Sequence, residues 1–398
     1  MAALLLTSMV WSGHAQEKNE MDLSGEWAFQ TDVMDFRRGS LDVRYCHRLQ
    51  ESIVLPGITD DYKIGYKSPY RHLDRLTRVY EYMGPAWYQR EIEIPAAWKG
   101  KRIFLYFERT HWLSSVYVGK EEVSKIDYIS IPHNHELTQW LHPGKKELIT
   151  FCIDNRYQYD THKWDHAHSE FTQINWNGVL GEIKLVAVDP VYVDDMQVYP
   201  DIKNKSIKVK MTVRNCTEHT ASGKISFHVT GKDYRLQKEV PVTVTDSITY
   251  IEEEMFLGKD IHLWNEFHPN LYTLDCKLTS SVEGQSYAHE KSTTFGMREV
   301  EAGEDHIILN GEPIHLRGTV ENAVFPKTGY APVDDASWER VLRILKEYGM
   351  NHMRFHSWCP PAAAFRMADK LGVYLEVEMP MWGKDCLLYT SDAADDLI

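Results

Sequence analysis

Between about Met21 and Phe295 the chain reads as short strands separated by turns, in several of which apolar and polar side chains alternate with a period of two. Tyr88, Arg90, Ile92 and Ile94 alternate with Gln89, Glu91 and Glu93, the pattern of a half-buried strand. Ile103–Phe107 is apolar throughout and predicts a strand covered on both faces. Gly25–Phe29, Ser115–Val118, Leu148–Ile153 and Ile183–Ala187 read as further short strands. Strands, turns and almost no helix over 22–188 predict a β-sandwich of jelly-roll type. Ile207, Val209, Met211 and Val213 then alternate with Lys208, Lys210, Thr212 and Arg214. Ile225, Phe227 and Val229 repeat the pattern, as do Tyr272, Leu274, Cys276 and Leu278, predicting an immunoglobulin-like sandwich over 189–296.

The period changes beyond residue 297. Trp338, Val341, Leu342 and Leu345 fall on one face of a helix over Ser337–Tyr348, and Gly349 stands where a left-handed C-terminal residue belongs. Ala363, Ala364, Met367 and Ala368 form the small apolar stripe of a second helix, Pro361–Lys370. Strands at Leu309–Gly318, Met350–Trp358 and Val373–Glu378 separate them, which predicts parallel β/α units over 297–384. Arg354 and His356 leave the second of these strands, and Glu378 and Trp382 leave the third. In a (β/α)8 barrel such groups converge on one mouth. Ordinary loop polarity is the bland alternative.

Composition narrows the partners. A chain of 398 residues has room for two or three domains. Its net charge of −14, with no basic run, argues against nucleic acid. Its 12 Trp and 22 Tyr suit sugar-binding faces and β-rich cores equally. Six widely spaced cysteines, Cys46, Cys152, Cys216, Cys276, Cys359 and Cys386, lack zinc-site spacing and read mostly as buried thiols, with one disulfide left open. The loop Asp160–His168 holds three His, two Asp and a Trp; metal, carbohydrate contact and plain solvation all remain readings of it.

Met1–Gln16 has the apolar core and small-residue cleavage site of a secretory leader, though no Lys or Arg near its start, so 1–15 is expected to be removed and the protein secreted or periplasmic. No later stretch is long and apolar enough for a membrane span. Cys386–Asp395 reads as the translation of a sequencing adapter, so 386–398 is expected to be non-native and the native frame to run on past Lys384.

Five motifs, in order, carry a family resemblance. They are Trp98–Glu108 with Val116–Gly119, Trp176-Asn-Gly-Val-Leu-Gly181, Leu263-Trp264 with Pro269–Leu274, Phe295-Gly-Met-Arg298, and Leu309-Asn-Gly-Glu-Pro313. Over about 22–384 the chain resembles glycoside hydrolase family 2, which includes β-galactosidases, β-glucuronidases and β-mannosidases. The resemblance implies retaining, exo-acting hydrolysis of terminal β-linked sugars by two carboxylates about 5–5.5 Å apart. It places the acid/base Glu after the fourth barrel strand and the nucleophile after the seventh. Neither is expected in this chain, which is then an inactive fragment.

By the same resemblance Arg354 steadies the catalytic carboxylates and Glu378 contacts a metal or a hydroxyl. His356 stands one residue from the family's usual His, and Glu321 and Asn322 occupy substrate-contact positions. The stretch His356-Ser-Trp-Cys-Pro360 departs from the SHYP form of typical galactosidases, which puts galactose specificity in question. The implied partner is a carbohydrate, with no cofactor; a divalent cation and the oligomeric state stay open. The rival reading is a non-catalytic carbohydrate-binding sandwich protein. Proteolysis and phosphoryl transfer lack a motif. Three barrel strands leave open edges, so 299–384 is expected to be poorly stable.

Overall fold

A computed structural model describes residues 19–32, 49–159, 165–167 and 174–380. The leader, Cys46, most of the Asp160–His168 loop, Trp382, Cys386 and the 386–398 tail lie outside the described residues. Among the described residues no helix is long and apolar enough to cross a membrane.

The first unit is two facing sheets. One runs in the order Glu121–Ile126, Leu113–Val118, Lys146–Asp154, Pro85–Glu93, Gly25–Thr31, Glu51–Leu55. The other runs Glu20–Asp22, Gly178–Val188, Arg102–Thr110, His133–Glu136, with Gly57–Ile58 pairing beside Gly178. Period-two alternation sends Trp27, Phe29, Tyr88, Phe107 and Phe151 between the sheets, all fully buried. Phe151 stacks on Tyr88 at 4.8 Å and meets the edge of Trp27 at 5.0 Å. Arg90 shares the inward face with Tyr88 and Ile92. It escapes burial by reaching the Leu23 carbonyl at 2.9 Å, with its guanidinium 5.7 Å from the Trp27 ring.

The apolar run Ile103–Phe107 is covered on one face only. Ile103, Leu105 and Phe107 are buried, whereas Phe104 and Tyr106 are half-exposed. On that side of the sheet Tyr192 touches Phe104 edge-on at 6.3 Å and the Lys184 ammonium lies 5.5 Å from the Tyr106 ring. Gly178, in the Trp-Asn-Gly turn, has φ +150°, and a Cβ there would lie 2.1 Å from the Gly57 carbonyl oxygen. Only glycine lets the two strands meet at that point.

A polar chain crosses this core. His133, His135 and Ser114 are completely buried. Ser114 Oγ lies 2.6 Å from His133 Nδ1 and 2.8 Å from His135 Nε2. His133 Nε2 donates to the Tyr128 carbonyl at 2.8 Å, and Ser124 Oγ lies 2.8 Å from His135 Nδ1. The Tyr128 carbonyl fixes the proton on His133 Nε2, so Ser114 donates to Nδ1, His135 donates to Ser114, and Ser124 donates to His135. Every group is satisfied with both imidazoles neutral. Burial pushes His133 down to about 4 and His135 down to about 3.

The second unit pairs a sheet of Val191–Asp201, Ser206–Asn215 and Ile248–Phe256 with one of Tyr234–Val244, Ala221–Gly231, Tyr272–Val282 and Gln285–Phe295. Its core contains the alternating residues read from the sequence: Ile207, Val209, Met211, Val213, Ile225, Phe227, Val229, Tyr272, Leu274, Cys276 and Leu278. Gly223 sits where two backbones approach; a Cβ would lie 1.9 Å from the Thr279 carbonyl oxygen. Gly223→Ala should therefore cost about 1–3 kcal/mol, read as a lowered urea midpoint with an unchanged m-value. Among the described residues no disulfide joins Cys152, Cys216, Cys276 and Cys359; Cys152 and Cys276 are buried and Cys216 is exposed.

The third unit opens with a small antiparallel sheet, Val300–Ala302, Ile307–Leu309 and Glu312–Ile314. The sequence reading made Leu309–Gly318 one strand. Instead Asn310 (φ 55°) and Gly311 (φ 86°) form a two-residue hairpin turn. The first parallel strand is Gly318–Glu321, followed in register by His352–Phe355 and Tyr374–Val377. Helices α1 (Asp335–Glu347) and α2 (Ala362–Leu371) cover one face, burying Trp338, Leu342, Leu345, Ala363, Ala364, Met367 and Ala368. Asp334 caps α1 by accepting the Ser337 N–H at 2.8 Å, which starts the helix two residues before Ser337. On the helix-free face Val320 is 49% exposed.

Candidate functional site

The site stands at the C-terminal ends of the parallel strands. Val320, Arg354 and Glu376 are in register across the three strands, and Glu378 follows on the same edge. Arg354 forms an ion pair with Glu378 Oε1, and its Nε lies 3.4 Å from Glu376 Oε1. Glu376 also has His352 Nε2 at 3.4 Å. The second oxygen of Glu378 accepts the Ser357 backbone N–H at 2.7 Å and has His356 Nε2 at 3.8 Å. Glu378 is thus clamped between a side-chain cation and a backbone donor, an arrangement that fixes the carboxylate plane.

Ser357 has φ 51°, a left-handed conformation uncommon for a residue with a Cβ. Three contacts hold the turn around it. The His356 N–H and the Trp358 indole N–H both donate to the Glu321 carbonyl, each at 3.0 Å. From the first sandwich, His166 Nδ1 donates to the His356 carbonyl at 2.8 Å. The His166 and His356 rings meet edge to face, 4.6 Å between centroids. Burial, then the neighbouring His356, lower the pKa of His166 and keep it neutral. Arg109, also from the sandwich, donates to the Cys359 carbonyl at 3.0 and 3.1 Å and to the Ser130 carbonyl at 3.2 Å. The turn is therefore gripped between two domains.

Arg354, His356 and Glu378 come together at the strand ends. Glu321 does not join them. Its carboxylate accepts the Ala323 and Val324 N–H groups at 2.9 and 3.2 Å, and burial pushes it up to about 7. Asn322 lies beside it, with a buried Oδ1 that has no partner. Trp382 lies outside the described residues. Ser357, Glu376 and Arg109 were not singled out from the sequence. Glu376 had a signal, since Tyr374, Glu376 and Glu378 share a period-two face; Ser357 acts through its backbone and had none.

Near the guanidinium stand two carboxylates, with three imidazoles close by. Such a cluster offers acceptors and a fixed donor to neutral hydroxyl groups. Among the described residues no group of three or more His, Cys, Asp or Glu is placed to hold a metal ion.

Residues 191–298 match the family described as Glycosyl hydrolases family 2. The chain is 23% identical over 305 residues to a β-galactosidase of Thermoanaerobacter pseudethanolicus, covering 76% of this chain and 40% of that protein. It is 22% identical over 414 residues to the β-glucuronidase of Sus scrofa, covering 95% of this chain and 59% of that protein. A glycosyl hydrolase family 2 member from Bacteroides cellulosilyticus superposes with a TM-score of 0.71 at 20% identity, over 90% of this chain and 46% of that one. A Bacteroides uniformis β-glucuronidase superposes with a TM-score of 0.71 at 18% identity, over 91% of this chain and 42% of that one. The chain thus spans between 40% and 59% of these relatives. The ordered motifs, the match over 191–298 and the shared architecture agree in supporting a member of glycosyl hydrolase family 2.

Proposed function

We propose that this chain is part of a secreted or periplasmic, exo-acting, retaining glycosidase that removes terminal β-linked sugars, of galactoside or glucuronide type, from oligo- or polysaccharides. In this reading the parallel unit opens a (β/α)8 barrel, and the two catalytic carboxylates stand on strands that follow the three described here. The observation that carries the proposal is the Arg354–Glu378 clamp at parallel strand ends. Glu378, held by Arg354 and the Ser357 N–H, keeps lone pairs for sugar hydroxyls. Arg354 orients Glu378 and contributes positive charge beside the reacting centre. Binding energy from the hydroxyls then places the anomeric carbon against the catalytic pair, the use to which remote contacts are put in enzymes.

Two assays test this. This chain alone should release no p-nitrophenol from the β-galactoside or the β-glucuronide above the buffer rate. The product of the reading frame extended past Lys384 should hydrolyse one of them with retention, followed by NMR of the first-formed anomer. Enzyme-like turnover by this chain, or inversion by the longer product, would overturn the reading. In the active product Arg354→Ala should lower kcat/KM by roughly 10²-fold or more, the scale of losing one preorganised electrostatic contact.

A further inference from the structure

The peptide between His356 and Ser357 is hydrogen-bonded at both ends, and its two partners belong to different domains. Its N–H donates to Glu378 Oε2 at 2.7 Å, across the strand ends. Its C=O accepts the imidazole Nδ1–H of His166, from the first sandwich, at 2.8 Å. The atoms of a peptide unit are coplanar, and the C=O and N–H of a trans peptide such as this one point in opposite directions. Whatever holds the carbonyl therefore aims the N–H. A peptide bonded at both ends is also polarised, which strengthens each bond.

The bonds that the first parallel strand makes with this turn act elsewhere. The Glu321 carbonyl takes the His356 N–H, which belongs to the preceding peptide, and the Trp358 indole N–H, which belongs to a ring. Neither fixes the 356–357 plane. Ser357 follows it at φ 51°, a conformation that persists only where the surroundings over-determine it.

The first sandwich supplies that hold. The His166 backbone N–H donates to Ser357 Oγ at 3.3 Å, so one residue takes both the carbonyl before Ser357 and the hydroxyl on it. Arg109 takes the Cys359 carbonyl two residues further on. His166 is itself well seated. Asp165 before it is fully buried and accepts the Ala167 N–H at 2.8 Å, and Ala167 after it packs into the core that holds Phe355 and Trp358.

We propose that His166 is a positioning residue for Glu378, which it aims through the 356–357 peptide, so that the first sandwich takes part in setting the geometry of the strand-end site. The proposal rests on the glycosidase reading for the reaction that this geometry serves. It requires something that plain anchoring does not: His166 matters to the reaction only while Glu378 is there to receive the N–H.

Two measurements test it. The first is hydrogen exchange resolved at the Ser357 amide of this chain. Exchange there should quicken by about tenfold or more in His166→Ala and in Glu378→Ala. It should stay slow in His166→Asn, whose amide nitrogen can stand where Nδ1 does. His166→Gln keeps size and polarity but carries its amide past the carbonyl; it should behave as His166→Ala, and guards against a folding defect in the smaller variant. The second is kinetics on the product of the extended reading frame. His166→Ala should lower kcat/KM by roughly 10- to 100-fold, the scale of a misplaced contact, and His166→Asn should recover most of the loss. With Glu378→Ala already in place, His166→Ala should cost nothing further.

The proposal falls if the Ser357 amide stays protected in both His166→Ala and His166→Gln, or if His166→Asn recovers nothing. It falls equally if the two losses multiply in the double variant, which would make His166 an anchor of general stability. A longer product without glycosidase activity, alongside the expected exchange pattern, would keep the positioning of Glu378 and overturn the glycosidase reading instead.

Discussion

Acidification from pH 7 to pH 4 should unfold the first sandwich before the second. The cause is the His133–Ser114–His135 chain, in which each imidazole already donates once and accepts once. An added proton forces the hydroxyls around it to turn from donors into acceptors and places a charge in a dry core. The unfolded pKa is about 6.5, and the folded values are about 4 for His133 and about 3 for His135. Folded values below the unfolded one mean that the unfolded chain binds more protons. The stabilisation is therefore fully present above pH 6.5 and is lost as the pH falls from there through the folded values. At pH 4 the loss is roughly 3 kcal/mol for each histidine, together comparable with the whole stability of a small domain.

The second sandwich carries one such group, His289, which burial pushes down to about 4. Hydrogen exchange across a pH series should show strands Arg102–Thr110, Leu113–Val118 and His133–Glu136 losing protection before Ile207–Val213. The double variant His133→Gln/His135→Gln keeps polar groups at both positions and removes both titrations. Its acid midpoint should move to lower pH, and an unmoved midpoint would show that another group triggers acid unfolding.

Trp264→Ala should detach the β/α unit from the second sandwich. Trp264 is 1% exposed, and its indole N–H donates to the Asp369 carbonyl at the end of α2 at 2.8 Å. The Arg298 guanidinium lies 4.6 Å from its ring centroid, and Tyr374 meets it edge-on at 5.7 Å. Its backbone pairs with Met297, and its carbonyl accepts from Asn310. One residue thus joins the sandwich, the hairpin, α2 and the last parallel strand, the last two through its side chain. Truncating a buried tryptophan costs about 3–5 kcal/mol. The parallel sheet, whose Tyr374–Val377 strand pairs on one side only among the described residues, has little reserve to absorb that loss. Exchange protection over 318–377 should collapse in the variant while 206–282 stays protected. Uniform protection across both would show that the β/α unit stands without this contact.

Both sandwiches and both helices were legible in the sequence because their information is periodic. A side chain's face follows from its place in a repeat of two or 3.6 residues, and burial follows from the face. Where periodicity failed, a local competitor explains it. The Ile103–Phe107 run is apolar on both faces, but among the described residues only one face packs into the core. Asn310-Gly311 turned an expected strand into a hairpin, because that dipeptide reaches positive φ readily.

The site divides along the same line. Arg354, His356 and Glu378 could be placed at strand ends from the chain alone, since strand ends follow from the pattern. Tertiary structure alone decided what completes them. The Ser357 N–H that holds Glu378 belongs to a turn gripped by His166, which lies 190 residues away from its His356 carbonyl partner. Asn175 and Asn177 are the same residue type two positions apart, and only packing leaves one idle and the other saturated. A sequence specifies which groups each residue offers. Which offer is taken up depends on distances that exist only after distant segments have docked.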